Sequence, residues 1–265
     1  MSIYKLLTGA AESWSRRCKL ACVKTHTLYT RPLGPDSVVV DLGANVGQFS
    51  EGMYERFGCN CYAVEAMPNL FEEIPANEKV RKFNLAVSDS NGPLRLFTSS
   101  NRECNSLFPS IAESYGLQSV VECPGLTLET FLREQGIDSL DVLKVDIEGA
   151  EKQVFGSTSD ELLRSIKQIT IEFHDFVPDS ITSEEVRAIR KRLEGLGFLC
   201  IPFSYLYPTM KTADFLFLNR RLCPASFGDR LGFQVLRALL GAENLKSDLK
   251  RLLAKPPTPV KAEVS

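Results

Sequence analysis

The chain has 265 residues, 44% hydrophobic and 24% charged, with a formal net charge of −2. That length and apolar content support one full α/β core with additions at the ends, and the near-balanced charge gives no basis for general affinity toward nucleic acid or membranes. Its eight cysteines (18, 22, 59, 61, 104, 123, 200 and 223) form no C-x-x-C pair and no Cys/His ligand cluster, which suits a reducing, cytoplasmic setting rather than a disulfide framework.

Residues 1–35 are expected to form an amphipathic helical extension. Ile3, Leu7, Ala10, Trp14, Cys18 and Ala21 recur at helical spacing, with Lys5, Arg16, Arg17, Lys19 and Lys24 between them. No uninterrupted apolar run is present, so the segment reads neither as a signal peptide nor as a membrane span. A basic helix of this kind could lie on a membrane surface; capping its own domain or a partner subunit, including a second copy of the chain, is the favoured reading.

The stretch from Val38 to Ser50 then carries the strongest signal. A β-branched run ends in Asp41, a turn over Gly43, Ala44, Asn45 and Gly47 follows, and helical spacing resumes at Gln48. This is the strand–turn–helix opening of a nucleotide-binding α/β unit, in which Gly43 and Gly47 allow a tight turn and a close ligand. A dinucleotide fingerprint would place glycine at 43, 45 and 48, yet positions 45 and 48 are Asn and Gln. The Gly-Lys-Ser/Thr of a phosphate-binding loop is also missing. A cofactor without a pyrophosphate fits better, and S-adenosylmethionine is one. The second strand, Cys61–Glu65, ends in a carboxylate 24 residues beyond Asp41. A carboxylate at that place can accept hydrogen bonds from both ribose hydroxyls. NAD enzymes share the spacing, so Glu65 argues for an adenosine ligand without choosing one, and a solvated strand-end glutamate is the plain alternative.

Val80–Val87 reads as a third strand, Ser88–Gly92 as a turn, and Leu94–Thr98 as the return strand of a hairpin. Residues 99–125 are polar and weakly periodic, too long for a plain connector, and read as a lid or mobile segment. Thr127 is placed to cap a helix over Leu128–Glu134 that stops at Gly136. Ser139–Ile147 and Ile166–Phe173 are strands, with a helix over Gly149–Phe155 between them. Thr182 and Glu185 form a capping box for a helix to about Leu196. Phe198–Phe203 and Ala213–Leu218 are strands joined through Tyr205 to Pro208. One or two amphipathic helices are predicted over 226–254, and a Pro-rich, disordered tail over 255–265. The expected fold is α/β: a doubly wound, mostly parallel sheet over residues 36–220 with an antiparallel final hairpin, extended by helices over 1–35 and 221–254.

Polar residues mark the carboxyl ends of two central strands. Lys144, Asp146 and Glu148 alternate with Leu143, Val145 and Ile147, while Thr170, Glu172 and His174 alternate with Ile169, Ile171 and Phe173. Buried charges there are costly unless paired or used, and ligands of open α/β sheets sit at these strand ends. For Lys144 and Glu172 two readings stay open: a buried ion pair ordering the sheet, or site residues. Asp146 and His174 read as site residues. His26, in the basic N-terminal arm, does not.

Taken together, Asp41-Leu-Gly-Ala-Asn-Val-Gly-Gln-Phe-Ser, Val64-Glu-Ala-Met-Pro68, Asn84-Leu-Ala-Val-Ser-Asp89 and Leu143-Lys-Val-Asp-Ile-Glu-Gly-Ala-Glu151 resemble, in order, the blocks of the FkbM family of S-adenosylmethionine-dependent methyltransferases. The resemblance covers roughly residues 36–218. It departs at Ala66, where the family commonly has proline. It implies a class I methyltransferase fold of seven strands, and O-methylation of hydroxyls on sugars, polysaccharides or polyketide-type natural products. It also implies that Asp41, Gly43, Ala44, Asn45 and Gly47 form the turn at the cofactor's methionine side and that Glu65 binds its ribose. Ala66 would shape the following turn, Met67 would pack on the adenine, and Asn84 through Ala86 would lie along the adenine edge. Asp146 would stand near the methyl group.

A sugar hydroxyl is a poor nucleophile until it loses its proton. His174 is the expected base, oriented by Asp146 or Glu172, with Lys144 holding the carboxylates or touching substrate. Asp146, Glu172 and His174 could together hold Mg²⁺ or Mn²⁺, but the spacing does not demand a metal and none is assigned. An NAD-dependent oxidoreductase and a non-catalytic adenosine-binding scaffold are the rival readings. The expected partner is a small-molecule or glycan substrate, not a nucleic acid; a basic stripe is absent from the core blocks.

Overall fold

The computed structural model describes residues 10, 12–101, 105–175, 180–203 and 213–253. The predicted tail at 255–265 and the turn at 205–208 lie outside them.

Of the described N-terminal stretch, residue 10 and residues 12–17 are helical (α1). They are followed by an antiparallel hairpin of β1 (Leu20–Val23) and β2 (His26–Tyr29), joined through Lys24 and Thr25. The expected helical extension is therefore corrected at residues 20–29. Lys24 takes the left-handed conformation at φ 52°, suited to a two-residue connection. A tertiary contact docks the hairpin: the buried Gln168 amide accepts from Tyr29 N–H and donates to Tyr29 C=O, both at 3.0 Å. Cys18, Leu20 and Tyr29 then pack with Leu216, Leu218, Phe233 and Leu236. The N-terminal segment thus caps its own domain.

The main sheet has seven strands. β3 (Val38–Leu42) leads through α2 (Gln48–Phe57) to β4 (Asn60–Glu65), and α3 (Pro68–Glu73) leads to β5 (Val80–Asn84). The chain then leaves this sheet. Leu85 separates β5 from β6 (Ala86–Ser88), and β6 pairs in parallel with β8 (Leu117–Thr127), which also pairs antiparallel with β7 (Gly92–Ser99). The predicted third strand is thus two strands in different sheets, and its expected hairpin partner pairs with β8 instead. The segment expected to be an irregular lid contains α4 (Pro109–Ser114) and most of β8; β8 was hidden because its outer residues are exposed and the alternation is weak.

After α5 (Leu128–Glu134), capped by Thr127 Oγ1 as the sequence predicts, β9 (Leu140–Val145) enters beside β3. α6 (Glu151–Ser157) and α7 (Asp160–Ser165) lead to β10 (Ile166–Phe173), and α8 (Ser183–Gly195) carries the predicted capping box. β11 (Phe198–Pro202) and β12 (Ala213–Asn219) close the sheet, and a single helix, α9 (Phe227–Leu253), ends the described chain. The strand order is β11-β12-β10-β9-β3-β4-β5, with β12 antiparallel to both neighbours and the other pairs parallel. This is the mostly parallel, seven-stranded α/β sheet with an antiparallel final hairpin that the sequence predicts. One face packs Leu143, Val145, Ile169, Ile171 and Phe173 under α5–α8. The other is covered by the hairpin, α2 and α9. The carboxyl ends of β3, β4, β9 and β10 meet at one edge, around the glycine turn.

Candidate active site

The turn after β3 is set by backbone conformations that few residues adopt. Gly43, Asn45 and Gly47 have φ of 75°, 53° and 82°. A Cβ on Gly43 would stand 1.7 Å from the Asp146 carbonyl oxygen, so glycine is required there by space as well as by φ. Gly47 starts α2, and a Cβ on it would press on Ile74 at 2.8 Å. The turn is stitched to β4 by Gly43 N–H and Ala44 N–H donating to Val64 C=O, at 3.0 and 2.9 Å. Glu65 completes this link. Its two oxygens accept from Asn45 N–H and Met67 N–H, each at 2.8 Å. Burial pushes the Glu65 carboxyl up, against the pull of those two donors.

A cavity of about 200 Å³ opens over the turn. Gly43, Ala44, Asn45, Glu65, Ala66, Met67, Ala86, Lys144, Asp146 and Glu172 of the predicted site residues line it. Leu85, Val87, Leu96 and Leu107 give it an apolar side, fit for an adenine ring. The set suits an adenosine ligand bearing positive charge: apolar walls, Glu65 on one flank of the turn, Asp146 on the other.

Four predicted residues sit behind the wall instead. Asp41 is fully buried, accepts from Ser50 Oγ at 2.8 Å, and lies 3.1 Å from Lys144 Nζ. Gly47 packs on Ile74. Asn84 donates from its side-chain amide to the carbonyls of Glu65 and Ala66, at 2.9 and 3.0 Å, bracing that turn rather than lining the cavity. His174 is 2% exposed and does not reach the cavity.

Lys144 finds its carboxylates in Asp41 and Asp146 (3.4 Å), across the β9–β3 pairing, and also donates to the carbonyls of Leu42 and Gly43. Burial works against its charge, but the two aspartates outweigh it and push the ammonium up to about 12. Lys144 is therefore the brace that fixes the glycine turn. Burial likewise opposes ionisation of Asp146, yet Lys144, His26 and His174 hold its carboxyl well below the usual range.

Three residues reach the site that the sequence reading did not assign to it. His26 is buried under the hairpin with Nε2 at 3.4 Å from Asp146 Oδ2. Glu148 lines the cavity, in a left-handed conformation (φ 51°) that is strained for a residue with a Cβ. Its Oε2 lies 3.4 Å from His174 Nε2. Glu151 is fully buried, and its Oε1 lies 2.9 Å from His174 Nδ1 while accepting from Gly149 N–H at 3.1 Å. Burial opposes charge on His174, but Glu148, Glu151 and Asp146 raise it well above the ordinary histidine range. The imidazole is thus held among acids that favour its protonated form. Burial pushes Glu148 up to about 8; His174 pulls against it, and Asp146, Glu151 and Glu172 add to it. Asp214, across from Glu172 on β12, is also pushed up to about 8 by burial and by Glu172 and Asp146. The signal for Glu148 was present, an acid before glycine at the end of the fourth core strand. For His26 none was, since its place depends on hairpin docking.

Thr25 and Lys24 of the hairpin, with Asn105, Ser106 and Leu107, close the cavity from outside. Ser106 Oγ donates to Glu148 C=O at 2.5 Å, tying this cover to the strained residue. No described helix is long and apolar enough to cross a membrane.

Residues 41–200 match the model of the methyltransferase FkbM domain. The chain is 26% identical over 201 residues to the 31-O-demethyl-FK506 methyltransferase FkbM of Streptomyces tacrolimicus, covering 64% of this chain and 75% of that protein. It is 26% identical over 205 residues to the AMB antimetabolite synthetase AmbE of Pseudomonas aeruginosa, covering 63% of this chain but only 10% of that protein. The crystal structure of a methyltransferase FkbM from Methylobacillus flagellatus superposes with a TM-score of 0.48 at 10% identity, over 72% of this chain and 46% of that one. By the family match over most of its core, this chain belongs to the FkbM family of S-adenosylmethionine-dependent methyltransferases.

Proposed function

We propose that the chain methylates a hydroxyl group on a sugar, polysaccharide or natural product, with Glu148 as the base. The observation that carries this reading is the position of Glu148, a carboxylate on the cavity wall beside Asp146 that burial pushes up to about 8. A group with that pKa is suited to take a proton from a hydroxyl near neutral pH. The name of the Streptomyces relative, a methyltransferase of an O-demethyl compound, supports an oxygen acceptor.

S-adenosylmethionine, when bound, supplies a methyl group on a sulfonium, and in-line transfer then depends on positioning. Glu65 would accept from the ribose hydroxyls with the lone pairs left after its two backbone bonds. Met67 and Leu85 would flank the adenine, and Asp146 would face the positive end. Lys144 fixes the turn. His174, held by Glu151, orients Glu148 and keeps the acid cluster from repelling itself apart; it is a positioning residue, and this reading moves the expected role of base from His174 to Glu148. Residues 36–220 form the catalytic unit, with the hairpin and residues 105–107 shaping the acceptor side.

Tritium-labelled S-adenosylmethionine offered to cell glycans, small metabolites and lipids tests the acceptor class. A labelled methyl ether is expected; label found only on nitrogen or carbon would overturn the reading. For cofactor binding, Glu65→Gln should weaken S-adenosylhomocysteine affinity about 10- to 100-fold by calorimetry, the size of one or two charge-assisted hydrogen bonds. Unchanged affinity would remove Glu65 from the ribose site.

A further inference from the structure

We propose that His26, Asp146 and Glu172 form a site for one divalent cation, Mg²⁺ or Mn²⁺, at the acceptor side of the cavity. One ligand atom from each residue can be chosen so that all lie within 4.8 Å of one another, and His26 Nε2 stands 3.4 Å from Asp146 Oδ2. That spacing suits an octahedral ion, whose bonds to oxygen run to about 2.1 Å and so leave neighbouring ligands roughly 3 Å apart. Oxygen and imidazole together are donors that Mg²⁺ and Mn²⁺ accept, with Mn²⁺ the more tolerant of nitrogen.

The surroundings fit a ligand set as well. His26 Nδ1 lies 3.5 Å from Thr170 Oγ1, so the hydroxyl oxygen can accept from Nδ1–H, and an ion between Nε2 and Asp146 would replace their direct contact. Glu172 pairs with Asp214 across β10 and β12, which puts both side chains on one sheet face. Asp214 is 6% exposed, and its Oδ1 has no hydrogen-bond partner among the described residues. A buried carboxylate oxygen left unpartnered beside two more carboxylates is costly, and a cation in their midst removes that cost. Lys144 Nζ and His26 Nε2 each lie 3.4 Å from Asp146 Oδ2, so the ion would share this carboxylate with Lys144, whose other partner is Asp41. Asp146 and Glu172 also line the cavity, so part of the ion's coordination shell faces the acceptor. The sequence reading allowed His174 beside Asp146 and Glu172 without assigning a metal; the structure groups His26 with those two carboxylates, while His174 lies 3.8 Å from Asp146 Oδ1 and faces Glu148 and Glu151.

The use of the ion, to hold the acceptor hydroxyl and make its proton more acidic, rests on the reading given under the proposed function. The binding of the ion does not. The test therefore uses the full chain without acceptor or cofactor, stripped with EDTA, dialysed and titrated with MnCl₂ while the electron paramagnetic resonance signal of free Mn²⁺ is followed. Saturable uptake of one ion per chain is expected. His26→Gln and Glu172→Gln should each weaken it at least about tenfold, the effect of losing even an outer partner. Far-ultraviolet circular dichroism checks that the variants are folded. Should both fail that check, thermal unfolding of the unaltered chain decides: a melting temperature rising with Mn²⁺ supports the site. No uptake and no rise, or uptake unchanged in both folded variants, would overturn it. Ion binding without transfer to any hydroxyl would count against the acceptor reading alone.

Discussion

Glu148→Gln should lower kcat by about 10²- to 10⁴-fold, the range of a lost general base, while leaving S-adenosylhomocysteine affinity within a few-fold. The substitution keeps the shape of the side chain, its place on the cavity wall and the hydrogen bond from Ser106 to its backbone. It removes only the capacity to take a proton. The pH dependence should agree in sign. A base must be ionised to act, and burial with the neighbouring acids pushes Glu148 up to about 8. Turnover at saturating substrate should therefore rise with pH and level off above about 8, and the rising limb should vanish in Glu148→Gln. His174→Gln should act differently. Losing the nearby imidazole removes a group that pulls the Glu148 pKa down, so the rising limb should move to higher pH with a smaller loss of kcat at the plateau. If His174→Gln abolishes turnover at every pH while Glu148→Gln keeps most of it, the histidine is the base after all.

The parts of this site that were legible in the sequence are those built within a few residues of one another. Gly43, Asn45, Gly47 and Glu65 follow from one turn and one strand end, and the capping box of Thr182 and Glu185 is local in the same sense. What sequence spacing could not show was made by contacts between distant segments. His26 enters the site because Gln168, buried 139 positions away, satisfies both main-chain groups of Tyr29 and so pins the hairpin to β10. The break at Leu85 carries no turn residue; β6 leaves the main sheet because β8 offers it a partner. The alternation of polar residues on β9 and β10 located the acid cluster correctly. It could not tell that Lys144 would turn to Asp41 rather than Glu172, since strand order and register decide which neighbour a residue meets.

That pairing has the largest consequence for stability. Lys144→Met keeps the volume of the chain's buried stem but deletes the ammonium between Asp41 and Asp146. Asp41 is fully buried, and its remaining side-chain donor is Ser50. Removing one partner of a buried pair costs about 3–5 kcal/mol. For a chain of this size that corresponds to a fall in melting temperature of roughly 6–20 °C, at 2–4 °C per kcal/mol. The carbonyls of Leu42 and Gly43 also lose a donor, so the turn should loosen and cofactor affinity should fall with stability. A second substitution separates the pairings. Asp41→Asn neutralises the stranded charge and should recover part of the loss when added to Lys144→Met, an interaction read from a double-mutant cycle. Glu172→Gln added to Lys144→Met should recover little. Recovery by Glu172→Gln and not by Asp41→Asn would mean that the lysine is held by β10, and that the turn over which the cofactor lies is braced by something else.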